Sequence, residues 1–188
     1  MDDGSLAPAL LVAMPQLVDP NFRRSVVLVV HHDASGSFGL VLSRDSEIGA
    51  GELCSSVGLT WHGGGERVGW GGPVQPNTGW VLVGESGEPG SQDALEDATQ
   101  LGDGLHFAGS LATLRQVAED PPDELRLFLG YAGWGPGQLE DELAQGAWLV
   151  APISRRLVFH VAPEALWARA LRELGIDPST LVPTPGVH

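Results

Sequence analysis

The sequence reads as an α+β protein with a largely antiparallel sheet and three or four short helices. Two apolar runs, residues 25–31 and 38–42, flank the turn signal Asp33-Ala34-Ser35-Gly36 and so form a hairpin. Residues 110–118 and 163–174 instead repeat their apolar positions at helical spacing. No internal repeat or linker divides the 188 residues, so strands and helices are expected in a single domain, 1–188, with its core at about 10–175.

Taken in order, residues 10–13 are a short buried strand that Pro15 stops. Asp19-Pro20 suits a turn or the start of a short helix, because proline there needs no N–H. The hairpin follows, then a short helix at 53–57 and a loop at Gly63-Gly64-Gly65. Strands are expected at 68–70 and 80–83, separated by Gly71-Gly72-Pro73 and Asn77-Thr78-Gly79. Residues 84–104 hold five glycines, Pro89 and six acids and read as an acidic loop, with a short helix at 92–101 as the alternative. Ser110 is placed to cap a helix through Ala118 whose buried face is Leu111, Leu114, Val117 and Ala118. Leu125, Leu127 and Leu129 alternate with Arg126 and Phe128 in a strand running to Tyr131. A glycine-rich bend leads to a helix at 138–145, then strands at 148–151 and 157–160. Pro163 opens the last helix, with Leu166, Ala170, Leu171 and Leu174 as its stripe and Gly175 as its end. The proline-containing tail, 177–188, is expected to be extended or frayed.

Composition excludes several classes. All ten basic residues are arginine, so Schiff-base chemistry, a lysine base and a Walker A loop are absent. A net charge of −14 has the wrong sign for direct nucleic-acid binding, which draws its affinity from phosphate neutralisation. The only arginine doublets are Arg23-Arg24 and Arg155-Arg156. A single cysteine, Cys54, rules out an internal disulfide and suits a reduced cytoplasm, where it reads as a buried structural thiol. Asp2 and Asp3 stand where a secretion signal needs positive charge, and no apolar run approaches the ~20 residues of a membrane span.

Candidate chemistry is sparse. Gly133-Trp134-Gly135-Pro136-Gly137 lacks the spacing of a dinucleotide fingerprint, and there is no Gly-x-Ser-x-Gly elbow. A hydrolase would have to draw on Ser25 or Ser110 with His32 as base, yet each serine has a sufficient structural place. His31 and His32 point to opposite strand faces, so no metal site is expected, and no cofactor. Glu140, Asp141 and Glu142 begin a helix, where the helix dipole favours them by about 0.3–1 kcal/mol each. Gln138 and Glu142, four apart, could instead present an amide and a carboxylate beside Trp134 in a cleft.

Several fragments recur in one order: Met14-Pro15, Asp19-Pro20, Phe22, Ser25-Val26, His32, Gly36 with Gly39, Gly71-Gly72-Pro73, Ser110, Gly130-Tyr131, Trp134, Gly137-Gln138-Leu139-Glu140, Glu142 and Trp148. In this combination the chain resembles the YqgE/AlgH family of small bacterial proteins. Ser43 and Arg44-Asp45 depart from that pattern, where members usually carry Asn, then a basic residue and Pro. The resemblance implies a cytoplasmic α+β protein whose bent or split sheet is surrounded by helices. It also brings the description of putative transcriptional regulator. No helix-turn-helix or basic recognition helix accompanies that description, so action through another protein or a small ligand is expected. The reading is therefore a non-enzymatic binding or regulatory protein with an unidentified protein partner or small ligand. Its candidate surface comprises Gly72, Pro73, Trp134, Gln138, Glu140, Glu142 and His32. The alternatives are a hydrolase or transferase with a site near His32 and Glu140, and direct nucleic-acid binding through Arg23-Arg24.

Overall fold

The computed structural model describes residues 6–15, 17, 19–85 and 98–181. The first half of the chain holds β1 (Ala9–Ala13), β2 (Val26–Asp33), β3 (Gly36–Val41), β4 (Asp45–Gly49), α1 (Ala50–Ser56), β5 (Arg67–Trp70) and β6 (Val74–Gly84). The second half holds β7 (Thr99–Gly102), β8 (Leu105–Ala108), α2 (Leu111–Glu119), β9 (Leu125–Trp134), α3 (Gln138–Ala144), β10 (Trp148–Ala151), α4 (Arg155–Phe159), α5 (Pro163–Glu173) and α6 (Pro178–Leu181). The strands make one curled sheet, a half-barrel in the order β10-β1-β2-β3-β9-β6-β8-β7, with the β4–β5 pair attached to β9. All pairings are antiparallel except β5 with β9. The expected α+β class with a bent, largely antiparallel sheet is what forms.

The apolar runs of β1, β2 and β3 are explained by burial on both faces. Leu10, Val12, Val26, Leu28, Leu40 and Leu42 meet Leu157, Leu166, Trp167, Ala170 and Leu171 from α4 and α5. Their neighbours Leu11, Ala13, Val27, Val29 and Val41 meet Trp134, Leu139 and Trp148 on the other side. Each fully buried Leu or Val contributes about 1.5–3 kcal/mol, so this two-sided strand group dominates the core. Trp167 Nε1 donates to Ala13 O at 2.7 Å and ties α5 to the end of β1. A third cluster, including Val68, Val81, Val117 and Leu127, lies beneath α1 and α2. Cys54 is buried in α1, and burial pushes its thiol up.

Several expectations are corrected. Residues 157–160 are not a strand. Ser154 caps α4 by accepting from Leu157 N at 3.2 Å, and the helical turn buries Leu157 and Val158 together. Arg155 then donates to Glu124 and to Glu85 O, while His160 pairs with the other Glu124 oxygen. Burial pushes the Glu124 carboxyl up, but the hydrogen bonds and charges of His160 and Arg155 outweigh it and hold the carboxyl below its usual value. The 84–104 segment is not all loop: Thr99–Gly102 and Leu105–Ala108 are a hairpin at the sheet edge, so the end of the alternative 92–101 helix is strand. The remainder of that helix, 92–97, lies outside the described residues. β4 is a strand where no element was expected, held to β5 by pairing and not by apolar content. Asn77-Thr78-Gly79 does not interrupt β6. The strand bulges there, stepping from Val74↔Tyr131 to Gly79↔Leu129. Of the expected α2 face, Val117 and Ala118 are buried and Leu114 packs against the third cluster, but Leu111 is exposed and Thr113 is buried in its place. Asp177 nucleates α6 by accepting from Ser179 N at 2.9 Å, so 178–181 are helical rather than extended. Six helical segments stand among the described residues, more than the three or four expected.

Between Trp70 and Val74 the chain changes sides of β9. β5 pairs with Phe128 and Leu129 on one side, and β6 pairs with the same residues on the other. Gly71 N donates to Leu129 O at 2.8 Å and Gly71 O accepts from Val41 N at 2.8 Å, which fills the step from β5 to β3 along that side. Gly72 then passes directly over the Tyr131 peptide: a Cβ on Gly72 would stand 2.1 Å from Tyr131 C, and one on Gly130 would stand 2.2 Å from Gly72 O. Both residues also have positive φ, 152° and 78°. Gly72→Ala is expected to cost about 3 kcal/mol or more in urea unfolding. Gly58→Ala, at φ 79° with open space around it, is expected to cost only about 1–2 kcal/mol.

Candidate functional site

The turn of the first hairpin fixes the site's first element. Asp33 pairs with Gly36 and His32 with Ser37, and residues directly opposite share a sheet face. His32 Nδ1 accordingly lies 2.6 Å from Ser37 Oγ. His32 Nε2 lies 3.2 Å from Glu140 Oε2 of α3, with the His32 side chain 5 % exposed and that of Glu140 50 %. His31 turns outward to Asp33 at 2.7 Å, so the two histidines face apart. Among the described residues no group of three or more His, Cys, Asp and Glu could hold a metal ion.

A second polar group is centred two residues further along α3, on Glu142. Glu142 Oε1 accepts from Trp134 Nε1 at 3.0 Å and from Trp148 Nε1 at 2.8 Å, and its Oε2 accepts from Gln138 Nε2 at 3.1 Å. Gln138 Oε1 in turn accepts from Gly135 N at 2.9 Å, which closes the bend between β9 and α3. Phe22 stacks near Trp134 at 6.1 Å between centroids and meets Trp148 edge-on at 6.0 Å. Trp134 and Trp148 are buried, so this aromatic group is core and not the floor of an open cleft. The carboxylate is charge-assisted by two indole donors that would otherwise be orphaned in an apolar cluster.

The candidate residues thus divide. Ser37↔Trp134 pairing and the shared helix α3 bring His32, Trp134, Gln138, Glu140 and Glu142 to one corner. Gly72 is buried in the backbone crossing, whereas the adjacent Pro73 is exposed. A Cβ on Gly133 would lie 3.9 Å from Val74, which places the Pro73 bend beside the exposed stretch Gly133, Gly135, Pro136, Gly137, Gln138 and Glu140. Sequence reasoning did not single out Ser37. The two-residue turn Ala34-Ser35 was the available signal, because it alone puts positions 32 and 37 opposite each other. Phe22 and Trp148 figured only as recurring fragments, and their contact depends on a strand pairing from opposite ends of the chain.

The serines considered for hydrolysis are otherwise engaged. Ser25 is fully buried and its Oγ donates to Phe22 O, and Ser110 Oγ accepts from Thr113 N at 3.1 Å as the α2 cap. The arginine doublets are largely occupied too. Arg24 lies over the Trp167 ring at 5.6 Å, Arg155 pairs with Glu124, and Arg156 with Glu173.

Fold and corner together define a small α+β protein whose curled sheet carries helices on both faces and closes one end with a Trp–Trp–Glu network. A family model described as AlgH-like matches residues 10–179, and the chain belongs to that family. A UPF0301 protein of Myxococcus xanthus is 41 % identical over 98 % of this chain and 99 % of its own length. A UPF0301 protein of Alcanivorax borkumensis is 36 % identical over 99 % of this chain and 98 % of its own. The solution structure of the AlgH protein from Pseudomonas aeruginosa is similar with a TM-score of 0.74 at 31 % identity, covering 100 % of this chain and 98 % of that one. A crystal structure of a Corynebacterium diphtheriae protein shares the fold with a TM-score of 0.72 at 24 % identity, over 89 % of this chain and 86 % of that one.

The network makes a stability prediction. Glu142→Ala leaves both indole donors without their acceptor and is expected to cost about 2–4 kcal/mol in urea unfolding. Glu142→Gln keeps an oxygen in place and is expected to cost about half as much.

Proposed function

We propose that the protein is a non-enzymatic binding protein of the cytoplasm with a regulatory role, docking a protein partner or small ligand on the α3 corner. One observation carries the reading. Between Gly133 and Glu140 the exposed glycines, Pro136, Gln138 and Glu140 are anchored by Trp134, which is buried beneath them and shares the half-buried Glu142 carboxylate with Trp148. A surface already ordered loses less entropy when a partner docks. Effects on transcription would then be indirect, since Arg24, Arg155 and Arg156 are engaged with protein groups and the net charge is −14. No helix of the described residues is long and apolar enough to cross a membrane. Pro73→Arg combined with Pro136→Arg alters only exposed positions. In a lysate pull-down it is expected to lose at least ~10-fold of the captured partner with little change in melting temperature. Undiminished capture of every partner would place docking elsewhere.

A second reading, a hydrolase, is favoured by one arrangement: Ser37, His32 and Glu140 stand in series at 2.6 and 3.2 Å. With its proton on Nε2 held by Glu140, His32 Nδ1 would take the Ser37 Oγ proton as Oγ attacked an acyl carbon. The proton would then pass to the leaving group, leaving an acyl-serine for water to cleave. This reading expects covalent labelling by a fluorophosphonate that disappears in Ser37→Ala. An unlabelled native protein removes it.

A further inference from the structure

A cleft of about 560 Å³ lies away from the α3 corner and shares no lining residue with it. It opens between the β4–β5 pair with its adjoining loop, the start of β9, and the connection from α4 to α5. Its apolar lining includes Trp61, Leu125, Phe159 and Val161 with Pro121 and Pro122, and charged residues complete it. A cleft of this size and lining suits a small organic molecule.

Of the charged residues in its lining Arg126 alone is half-buried, the others being exposed. The guanidinium lies over the Phe128 ring at 4.6 Å and donates through Nη1 to Leu42 O at 2.9 Å. Among the described residues it forms no ion pair and no other hydrogen bond, so Nε and Nη2 retain donor capacity. Burial pushes this group down to about 10, with Asp45 only partly offsetting it, so at neutral pH it remains a poorly solvated cation. Two adjacent guanidinium donors suit a carboxylate in the bidentate manner. The remaining charges narrow the choice. Asp45, Glu66 and Asp123 line the same cleft and are exposed, with Arg67 the only exposed arginine beside them and His160 paired to Glu124. Such a rim repels phosphates and other multiply charged anions and attracts an ammonium group.

We propose that this cleft binds a small apolar zwitterion of dipeptide size, its carboxylate on Arg126, its apolar side chains against Trp61 and Phe159, and its ammonium group at the acidic rim. The separation of the two charges by an apolar body is what a dipeptide offers and a simple anion does not.

The test is a titration of ¹⁵N-labelled protein with the dipeptide Leu-Phe, followed by amide and indole chemical shifts. Saturable shifts are expected at Trp61, Arg67, Leu125, Leu127 and residues 158–161, with an affinity in the range of about 1 mM or tighter. The C-terminal amide of Leu-Phe is expected to bind at least ~10-fold more weakly, and Arg126→Gln to weaken Leu-Phe by a similar factor. N-acetylation should weaken it less. Should Arg126→Gln fail to fold, Trp61→Ala, which alters the apolar lining only, is expected to weaken binding several-fold. The proposal is overturned by the absence of saturable shifts up to about 10 mM, by equal binding of acid and amide, by shifts confined to other surfaces, or by inorganic phosphate saturating the same residues as readily.

Discussion

Everything in this fold depends on one close passage of backbone over backbone. β9 has the most partners of any strand: it pairs with β3 and β5 in succession along one side and with β6 along the other. Because β5 and β6 are consecutive in the chain, the connection must cross β9 within the few residues between Trp70 and Val74. Contact at 2.1–2.3 Å from the positions of absent Cβ atoms on Gly71, Gly72 and Gly130 shows that no side chain fits the crossing. The sheet curls around this point. The crossing also sets the Pro73 bend beside Gly133, and so assembles the exposed part of the α3 corner from two distant segments.

The corner shows how one short helix can serve both packing and presentation. Leu139 points into the core, Glu142 satisfies two buried indoles, and Glu140 reaches out to His32. Two of the three carboxylates that sequence alone assigns to dipole compensation, Glu140 and Glu142, therefore have specific partners, each determined by its angle about the helix axis. The arginine-based cleft is built on the opposite principle. There the protein has left a cation incompletely paired, which is costly for stability and is the usual mark of a place meant for something else.

How much was legible follows physical lines. The first hairpin, α5 and the Gln138–Glu142 pair are local, governed by turn chemistry and by helical spacing, and they stand where the residues alone put them. β4 and the β7–β8 hairpin escaped because their residues are polar or glycine-rich and become strands only through partners that sequence does not reveal. Residues 157–160 misled because three adjacent apolar residues fit a strand as well as a single helical turn, and the Ser154 cap decides between them. At the site, the grouping of Trp134, Gln138 and Glu142 was readable from spacing. The burial of Trp134 was not, since Phe22 and Trp148 cover it from elements 112 residues before it and 14 after it. Arg126 gave no sign at all, appearing as the polar half of an alternating strand.

The bond from Trp167 to Ala13 spans 154 residues and has a consequence for synthesis. β1, β2 and β3 leave the ribosome first, with Leu10, Val12, Leu28 and Leu40 facing a helix that does not yet exist. At bacterial rates of translation the wait from residue 42 to Leu171 is on the order of ten seconds, far longer than hydrophobic collapse. During that interval the nascent chain carries a bare apolar sheet face, which makes it a client for whatever holds unfinished chains apart. The final helix acts as the stopper that ends this exposure, so a truncation that removes α5 forfeits solubility before it forfeits any particular contact.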